Sequence, residues 1–384
     1  MRPHWNNAIS HTDGAVRTFI TEYFGNAGRR CLLVAAAGFD PRSQTVSRLL
    51  AATLGDRLTI LLIREERGRP DANLVTAADA NEEAMRSLVT DSFVARIQVF
   101  GDDGAPVGGQ RVAALLAGTT LPRDCTDVVL DMTALSIGMA FPAARLLLNR
   151  CESVPTTAFH LMISANPTLE DRIFSEPGDR PMFVRGFSGA TATGTLDPAK
   201  IWMPQLARGR GATLDVIGGH VGDCYKICPI LPLPSSDPRR ADSLLSEHLS
   251  RLVDEWQVDP RDFIYVSERN PLDSYRTIST LQARYVDAVS GVYDPQVVLS
   301  PIGSKVMAAG ALMAAIEHDL SVQYLETVRY DLPSAGIAVG EELLVHLLLS
   351  GPAYGDYKDP IGDEPIQDTG SVADGPPTPG SADV

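Results

Sequence analysis

The residues best suited to chemistry lie in residues 300–305, between an apolar run and an alanine-rich stretch. The apolar run predicts a strand and the alanine-rich stretch a helix, so these residues form the turn between them. Gly303 permits close approach to the backbone, Ser304 can cap the helix, and Lys305 lies beside its free N–H groups. Such a helix start favours an anion. We predict that Ser300, Gly303, Ser304 and Lys305 bind an anionic ligand, although a capped helix with a solvated lysine explains the same pattern.

A second polar cluster occupies residues 267–276, directly after another apolar, strand-like run. Asp273 can cap the helix that follows, but capping does not explain Arg276 in the first helical turn. A basic side chain is unfavourable there unless an anion lies nearby. Long charged side chains are also common on solvated loops, so both interpretations stay open. The candidate ligand contacts of this cluster are Glu268, Asn270, Tyr275 and Arg276.

Two further clusters follow predicted strands in the first half of the chain. The turn after residues 31–37 follows the first predicted strand, which is the position of the nucleotide-binding turn in Rossmann folds. It lacks the Gly-x-Gly-x-x-Gly fingerprint, so the usual mode of NAD or FAD binding is not expected. The turn after residues 127–131 offers a carboxylate and a hydroxyl that could contact a ribose or a metal, with helix capping favoured. The candidate ligand contacts here are Asp40, Arg42, Ser43, Asp131 and Thr133.

The candidates for catalysis are three titratable residues, since the nucleophile motif Gly-x-Ser-x-Gly is absent. Glu268 and Asp273 place two carboxylates near one strand end, where they could act as acid or base or hold Mg²⁺. His220 lies in a glycine-rich segment that we predict to be a flexible loop, and imidazole is a common acid/base group. His160 lies within an apolar strand and is predicted to be a hydrogen-bonded core residue.

The composition limits the function classes. The 384 residues carry a formal net charge of −15, which argues against a general nucleic-acid binder or a membrane-surface protein. The apolar runs are shorter than the roughly 20 residues that span a bilayer, and no signal peptide is visible. The five cysteines are odd in number and scattered, which predicts a reduced compartment and no zinc site. We therefore expect a cytoplasmic protein.

Short apolar strands alternate with helices along most of the chain, which is typical of βαβ units. We predict an α/β protein of two consecutive Rossmann-like units with mainly parallel sheets. The expected domains are residues 1–190 and residues 191–350, with a glycine- and serine-rich boundary between them. Residues 351–384 are acidic and rich in proline and glycine, which predicts a disordered tail. Residues 341–349 are predicted to form one last helix.

The C-terminal unit resembles the CARF-type Rossmann-like sensor domains of prokaryotic immune systems. The resemblance rests on the strand of residues 297–300, the turn of residues 303–305, an alanine-rich helix at residues 306–315 and a final strand at residues 322–326. It covers about a third of the chain. By analogy, it implies that Ser300, Gly303, Ser304 and Lys305 contact a nucleotide, which in that family is a cyclic oligonucleotide.

Three departures from the family pattern stand in this sequence. Ser304 occupies the place of the more usual threonine, and residues 301–302 interrupt the expected glycine pair. No nuclease or winged-helix effector follows the unit, so a sensing role implies a separate protein effector as partner.

These observations predict a ligand-sensing or nucleotide-binding protein of bacterial defence or regulation. Its ligand is an anionic small molecule or nucleotide, held by Lys305, Arg276 and the backbone of residues 303–304, with Glu268 and Asn270 orienting it. A homodimer is one assembly that the sequence allows, and no cofactor beyond Mg²⁺ is indicated. The alternative is an enzyme that acts on a phosphorylated or nucleotide substrate, and the third interpretation is a scaffold without a small ligand.

Overall fold

The computed structural model of the chain describes residues 5–189, 196–332 and 341–354. The predicted disordered tail lies outside the described residues from position 355 onward, and so does the segment of residues 190–195 at the expected domain boundary.

The first part of the chain alternates strands and helices, as the apolar runs predict. Its strands are β1 (Ser10–Thr12), β2 (Cys31–Ala36), β3 (Leu58–Glu66), β4 (Ser92–Gln98), β5 (Asp127–Asp131) and β6 (Ala158–Ala165). Its helices are α1 (Gly14–Phe19), α2 (Thr45–Leu54), α3 (Ala72–Arg86), α4 (Gly108–Gly118), α5 (Ile137–Glu152) and α6 (Pro167–Glu170).

The second part continues the alternation with shorter strands. Its strands are β7 (Phe174–Pro177), β8 (Met182–Ser188), β9 (Pro198–Pro204), β10 (Lys226–Ile227), β11 (Ile230–Pro232), β12 (Ile264–Val266), β13 (Asp294–Ser300), β14 (Ser321–Tyr324), β15 (Thr327–Asp331) and β16 (Leu343–Ser350). Its helices are α7 (Gly211–Val221), α8 (Arg240–Ser250), α9 (Pro271–Val289) and α10 (Lys305–Glu317).

The larger sheet has the strand order β1-β16-β6-β5-β2-β3-β4. The strands β2 to β6 are parallel, and β16 is antiparallel to both of its neighbours. Every residue of β2, β5 and β6 is buried. These strands are continuous apolar runs because helices cover the sheet on both faces.

The second sheet has the order β10-β9-β13-β14-β8, in which only β8 is antiparallel to its neighbour. A bridge from Gln205 to Ile230 continues it into the parallel pair β11-β12, and β7 and β15 form a separate antiparallel pair. The prediction of an α/β fold with two Rossmann-like units and mainly parallel sheets is confirmed.

The two sheets exchange strands across the expected boundary at residue 190. The strand β8 precedes the boundary but belongs to the second sheet, and β16 lies in the first sheet between β1 and β6. The predicted helix at residues 341–349 is wrong, because this segment is β16. Its eight residues are all buried. A short apolar run of this kind is compatible with a buried strand or a buried helix, and only its pairing with β6 decides between them.

The helix α10 joins the cores of both halves. Its residues 306–316 are all buried, as expected for a helix that is apolar on every side. It packs against α9 and contacts β6 of the first sheet. At Gly310, a Cβ atom would lie 2.2 Å from the carbonyl oxygen of Pro271, so only glycine permits this approach of α9 and α10. One continuous apolar core therefore runs through both halves.

A hydrogen-bonded chain of three histidines runs across β6, β16 and β1 of the first sheet and starts at Asp127 of β5. Nε2 of His160 lies 3.0 Å from the Asp127 carboxylate, and its Nδ1 lies 2.9 Å from Nε2 of His346. The chain ends at His11, whose Nδ1 lies 3.0 Å from Nδ1 of His346. With Asp127 ionised and the rings neutral, each ring donates towards Asp127, which fixes all three tautomers. The prediction that His160 is a hydrogen-bonded core residue is confirmed.

Candidate ligand-binding cleft

A cleft of about 250 Å³ lies where the carboxyl ends of strands from both sheets converge. Segments that follow β2, β3 and β5 line it from the first sheet, and segments that follow β9, β11 and β13 line it from the second. The residues at these strand ends include Gly38, Phe39, Asp40, Glu65, Thr133, Ser136, Leu206, Pro232, Gly303 and Ser304. The carboxyl edge of a parallel sheet is where such folds bind their ligands.

The turn between β13 and α10 brings three of its four predicted residues to the cleft. Ser304 caps α10 by accepting a 3.3 Å hydrogen bond from the Met307 N–H, and Gly303 lines the cleft beside it. A Cβ atom at Gly303 would lie only 3.1 Å from that of Gln205. Ser300 is placed differently, because it is fully buried and its hydroxyl accepts a 2.9 Å hydrogen bond from Trp202.

The Lys305 side chain is partly buried, and its ammonium donates a hydrogen bond to the Leu135 carbonyl of the first half. Burial lowers the pKa of Lys305 to about 8, against the opposing influence of Glu65, Glu170 and Glu326. Its ammonium forms no ion pair with any described carboxylate. Lys305 is therefore a cation at neutral pH that faces the cleft.

Asp40 and Arg42 lie at the cleft after β2, as predicted, but they pair with each other. Asp40 caps a short turn by accepting a 2.9 Å hydrogen bond from the Arg42 N–H, and their side chains form a 2.5 Å ion pair. Arg42 also lies 2.6 Å from Glu170. Ser43 is buried beneath this turn and does not line the cleft. These charges hold the turn in place, so they are less available to a ligand.

Asp131 and Thr133 hold the ends of β5 and β6 together. Asp131 accepts hydrogen bonds from the Thr133 hydroxyl and from its N–H, the latter at 2.9 Å, and the Ser164 N–H donates to Thr133 at 2.8 Å. Burial raises the pKa of Asp131 to about 7. Of these two residues, only Thr133 lines the cleft. The N-cap position of α5, which begins at Ile137, is taken by Ser136 of the same segment, whereas the Asp131 carboxylate bonds to Thr133.

Glu268 follows β12 and closes one side of the cleft through Arg240. The two side chains form a 2.8 Å ion pair but no hydrogen bond, and Glu268 is 1% exposed. Arg240 also donates two hydrogen bonds, of 2.7 and 2.8 Å, to Asp171 of the first half. Burial raises the pKa of Glu268. This network of Asp171, Arg240 and Glu268, here called the bridging network, connects the two halves.

We predict that Arg240→Ala lowers the free energy of unfolding by about 3 kcal/mol, because it leaves the buried Glu268 carboxylate without its cation. Urea denaturation followed by circular dichroism measures this loss. The control is Arg96→Ala, since Arg96 has a 51% exposed side chain in ion pairs with Glu66 and Glu82. Its loss should stay below about 1 kcal/mol. Equal losses in the two variants would contradict a structural role of the bridging network.

The rest of the cluster at residues 267–276 does not reach the cleft. Asn270 caps α9 by accepting from the Leu272 N–H, and the Asp273 carboxylate accepts a 2.7 Å hydrogen bond from the Ser267 N–H. Both residues therefore organise the start of α9. Of the two predicted carboxylates, only Glu268 lies at the cleft.

The expected meeting of Arg276 with Lys305 does not occur. Arg276 is exposed and donates a hydrogen bond to the Asn6 carbonyl, while the buried Tyr275 donates one to Glu317. Arg276 is exposed because of its position around the helix axis of α9. The core-facing side of α9 is formed by Leu272, Tyr275 and Ile278, so position 276 points to the outside. Neither Arg276 nor Tyr275 therefore lines the cleft.

His220 lies in the last turn of α7, exposed and away from the cleft. The predicted flexible loop is thus a helix that contains Gly218, where a Cβ atom would lie 3.0 Å from the Trp202 ring. Tight packing of the helix on this ring explains a glycine at that position.

The start of α5 at the cleft is occupied by two carboxylates that the motifs did not indicate. Glu65 accepts a 2.7 Å hydrogen bond from the Ser136 N–H, and Glu326 accepts a 3.2 Å hydrogen bond from the Ser136 hydroxyl. Arg67 lies 2.8 Å from Glu65 and 3.5 Å from Glu326. Burial raises the pKa of Glu326 to about 7. The partial positive charge at the N-terminus of α5 is thus compensated by two carboxylates of the chain itself.

Several other cleft residues outside the predicted motifs are cationic or aromatic. They include Phe39, Arg208, Arg210, Tyr324, Arg329 and Tyr330. A sequence signal exists for some of them, because Phe39 follows β2 directly, and Arg208 and Arg210 precede α7. Within the described residues, no group of three or more His, Cys, Asp or Glu side chains is arranged to hold a metal ion.

No protein-family model matches the chain, and no curated protein matches it. One similar solved structure is described as "Human methyltransferase 10 domain containing protein", at 12% sequence identity and a TM-score of 0.22. The alignment covers 44% of this chain and 76% of that chain. A similarity at this level carries no argument about activity. Among the described helices, none has the length and hydropathy to cross a bilayer.

Proposed function

We propose that the chain is a ligand-sensing protein that binds an anionic small molecule, a nucleotide, in the cleft. One observation carries the proposal: strand ends of both sheets and the N-terminus of α10 with Lys305 open onto the same cleft. Ligands of parallel α/β sheets bind at this edge, and a helix N-terminus beside an ammonium favours an anion.

Three cations support an anionic ligand. Lys305, Arg208 and Arg210 line the cleft, and none of them forms an ion pair with another described residue. The chain as a whole has a net charge of −15, so this local group of cations is opposite in sign to the molecule around it. A phosphate in the cleft would supply the missing counter-charge.

Contacts with both halves support sensing. Thr133 of the N-terminal half and Ser304 of the C-terminal half line the same cleft. A ligand that contacts both halves biases their relative arrangement by its differential affinity for the two states. The CARF resemblance of residues 297–326 supports the same role, and it adds a protein effector in bacterial defence or regulation as the proposed partner.

Turnover of a phosphorylated or nucleotide substrate is the second candidate function. Burial raises the pKa of Glu268 and lowers the pKa of Lys305 to about 8. Perturbed pKa values of this kind cluster at catalytic sites. Mg²⁺ would then accompany the substrate phosphates, which is the usual way in which this ion is bound.

Native mass spectrometry of the freshly purified chain, followed by calorimetry with a nucleotide panel, tests the proposal. The panel contains the four nucleoside monophosphates, ATP, NAD and cyclic oligoadenylates. We expect at least one member to bind. Sensing predicts that the bound nucleotide is recovered unchanged, whereas conversion in the presence of Mg²⁺ that is lost in Glu268→Gln identifies an enzyme. A panel without any Kd below about 1 mM, and no retained metabolite, would rule out both.

A further inference from the structure

Part of the cleft wall is apolar and aromatic. The first turns of α3 contribute Leu74, Val75 and Ala78, and the rings of Phe39 and Tyr330 lie in the same wall. The two ring centroids are 5.4 Å apart with an interplanar angle of 52°. Both rings are half-buried, which leaves part of their surface to the cleft. These five residues are called the apolar lobe below.

The Tyr330 ring is held in place before any ligand arrives. The guanidinium carbon of Arg67 lies 5.0 Å from the centroid of this ring, within the range of a cation–π contact. Arg67 itself is fixed by a 2.8 Å hydrogen bond to Glu65 and by a 2.9 Å bond to the Thr327 carbonyl. A pre-positioned ring costs less entropy to use in binding than a mobile one.

The cations lie beside this wall. Arg208 and Arg210 precede α7, and Lys305 is the first residue of α10. These three residues are called the basic lobe. Arg210 and Tyr330 line the same cleft, so both lobes face one space. Tyr324, which is 9% exposed, also lines the cleft, and its hydroxyl makes no hydrogen bond to a described residue. It is a free donor for an anionic oxygen.

From this arrangement we propose a base subsite: the apolar lobe stacks a nucleobase while the basic lobe and Tyr324 hold the attached phosphate. The inference rests on the proposed function and deepens it, since it assigns the two parts of the ligand to separate residues. A sugar phosphate or inorganic phosphate would satisfy the cations but leave the aromatic wall uncovered. Stacking on aromatic side chains accepts any base, so the subsite selects for nucleotides as a class.

The matched probes are AMP and ribose 5-phosphate, in which the base of AMP is replaced by the anomeric hydroxyl. Calorimetry of the full chain should give AMP a Kd roughly 10-fold to 100-fold lower, the range expected for one stacked base. The double variant Phe39→Ala/Tyr330→Ala should remove this preference while ribose 5-phosphate binds unchanged. Arg210→Ala should weaken both probes by the same factor. The control is Phe93→Ala, because Phe93 is a 59% exposed aromatic residue of β4 outside the cleft.

The outcomes separate this inference from the proposed function. Equal affinities for AMP and ribose 5-phosphate in the wild type overturn the base subsite and leave an anion site. An equal loss for both probes in the aromatic double variant also overturns it, because the rings would then act only through the structure of the cleft. Binding of neither probe nor of any other nucleotide overturns both proposals. Circular dichroism and the thermal midpoint establish that each variant is folded.

Discussion

Replacing Lys305 with alanine should weaken the tightest nucleotide of the panel by about 100-fold, or about 2.7 kcal/mol. The ammonium is partly buried at the start of α10 and has no carboxylate partner among the described residues, so a bound phosphate gains a charge-assisted hydrogen bond with it. Calorimetry measures the loss. The thermal midpoint should stay nearly constant, since among the described contacts the variant removes one side-chain hydrogen bond, to the Leu135 carbonyl.

Lys200→Ala is the matched control, because its ammonium also donates to a backbone carbonyl, that of Val221, at 2.7 Å but outside the cleft. Nucleotide affinity should not change in it. Unaltered affinity in Lys305→Ala would remove the central residue from the proposed site.

The same lysine sets the expected pH dependence of binding. With a pKa of about 8, Lys305 is charged below that pH and neutral above it. Nucleotide affinity should therefore fall as the pH rises through 8, by up to about tenfold per pH unit. Lys305→Arg keeps its charge throughout and should give a flat profile between pH 7 and 9.5. A flat profile in the wild type would exclude Lys305 as the phosphate ligand.

Asp127→Ala should lower the free energy of unfolding by about 3 kcal/mol, as much as Arg240→Ala. The Asp127 carboxylate accepts hydrogen bonds from His160, from the Tyr23 hydroxyl at 2.9 Å and from the Thr126 hydroxyl at 2.6 Å. Its removal leaves the fully buried His160 donor unsatisfied and removes the acceptor of two part-buried hydroxyls. It also removes the acceptor that fixes the tautomers of the histidine chain. Urea denaturation measures the loss, with Asp287→Ala on the exposed face of α9 as the control.

The histidine chain also makes the stability of the protein depend on pH. Burial, with His160 and His11 nearby, holds the pKa of His346 well below 6.5. His346 binds a proton more readily in the unfolded chain, so its contribution to stability is complete above pH 6.5 and is lost as the pH falls below it. His346→Gln should reduce the slope of stability between pH 6.5 and 5. An identical slope in this variant and the wild type would show that the buried imidazole does not govern acid unfolding.

Local signals predicted the α10 turn correctly, because its features depend on neighbouring residues. An apolar run, Gly303, the Ser304 cap and an alanine-rich helix specify strand, turn and helix without help from the rest of the chain. The same reasoning failed at Arg276, which lies one position past the core face of α9. Which face of a helix is buried depends on the elements packed against it, and the sequence near residue 276 does not contain that information.

Residues that meet across long sequence separations were missed for the same reason. Glu326 lies at the start of α5 because Gly138 permits its approach, and these positions are 188 residues apart. No local motif marks either one. Likewise, β16 is a strand because β6 offers an edge for pairing, although its sequence alone suits a buried helix. The cleft therefore could be located from the strand ends, but much of its lining could not.

The placement of β16 has a consequence for synthesis on the ribosome. Among the described strands, β1 pairs only with β16, so residues near position 11 can join the first sheet only after those near position 346 have been synthesised. Until then the edge of β6 stays open, and an unpaired apolar edge is prone to associate with other chains. A nascent chain that stalls before residue 343 should thus aggregate or recruit chaperones.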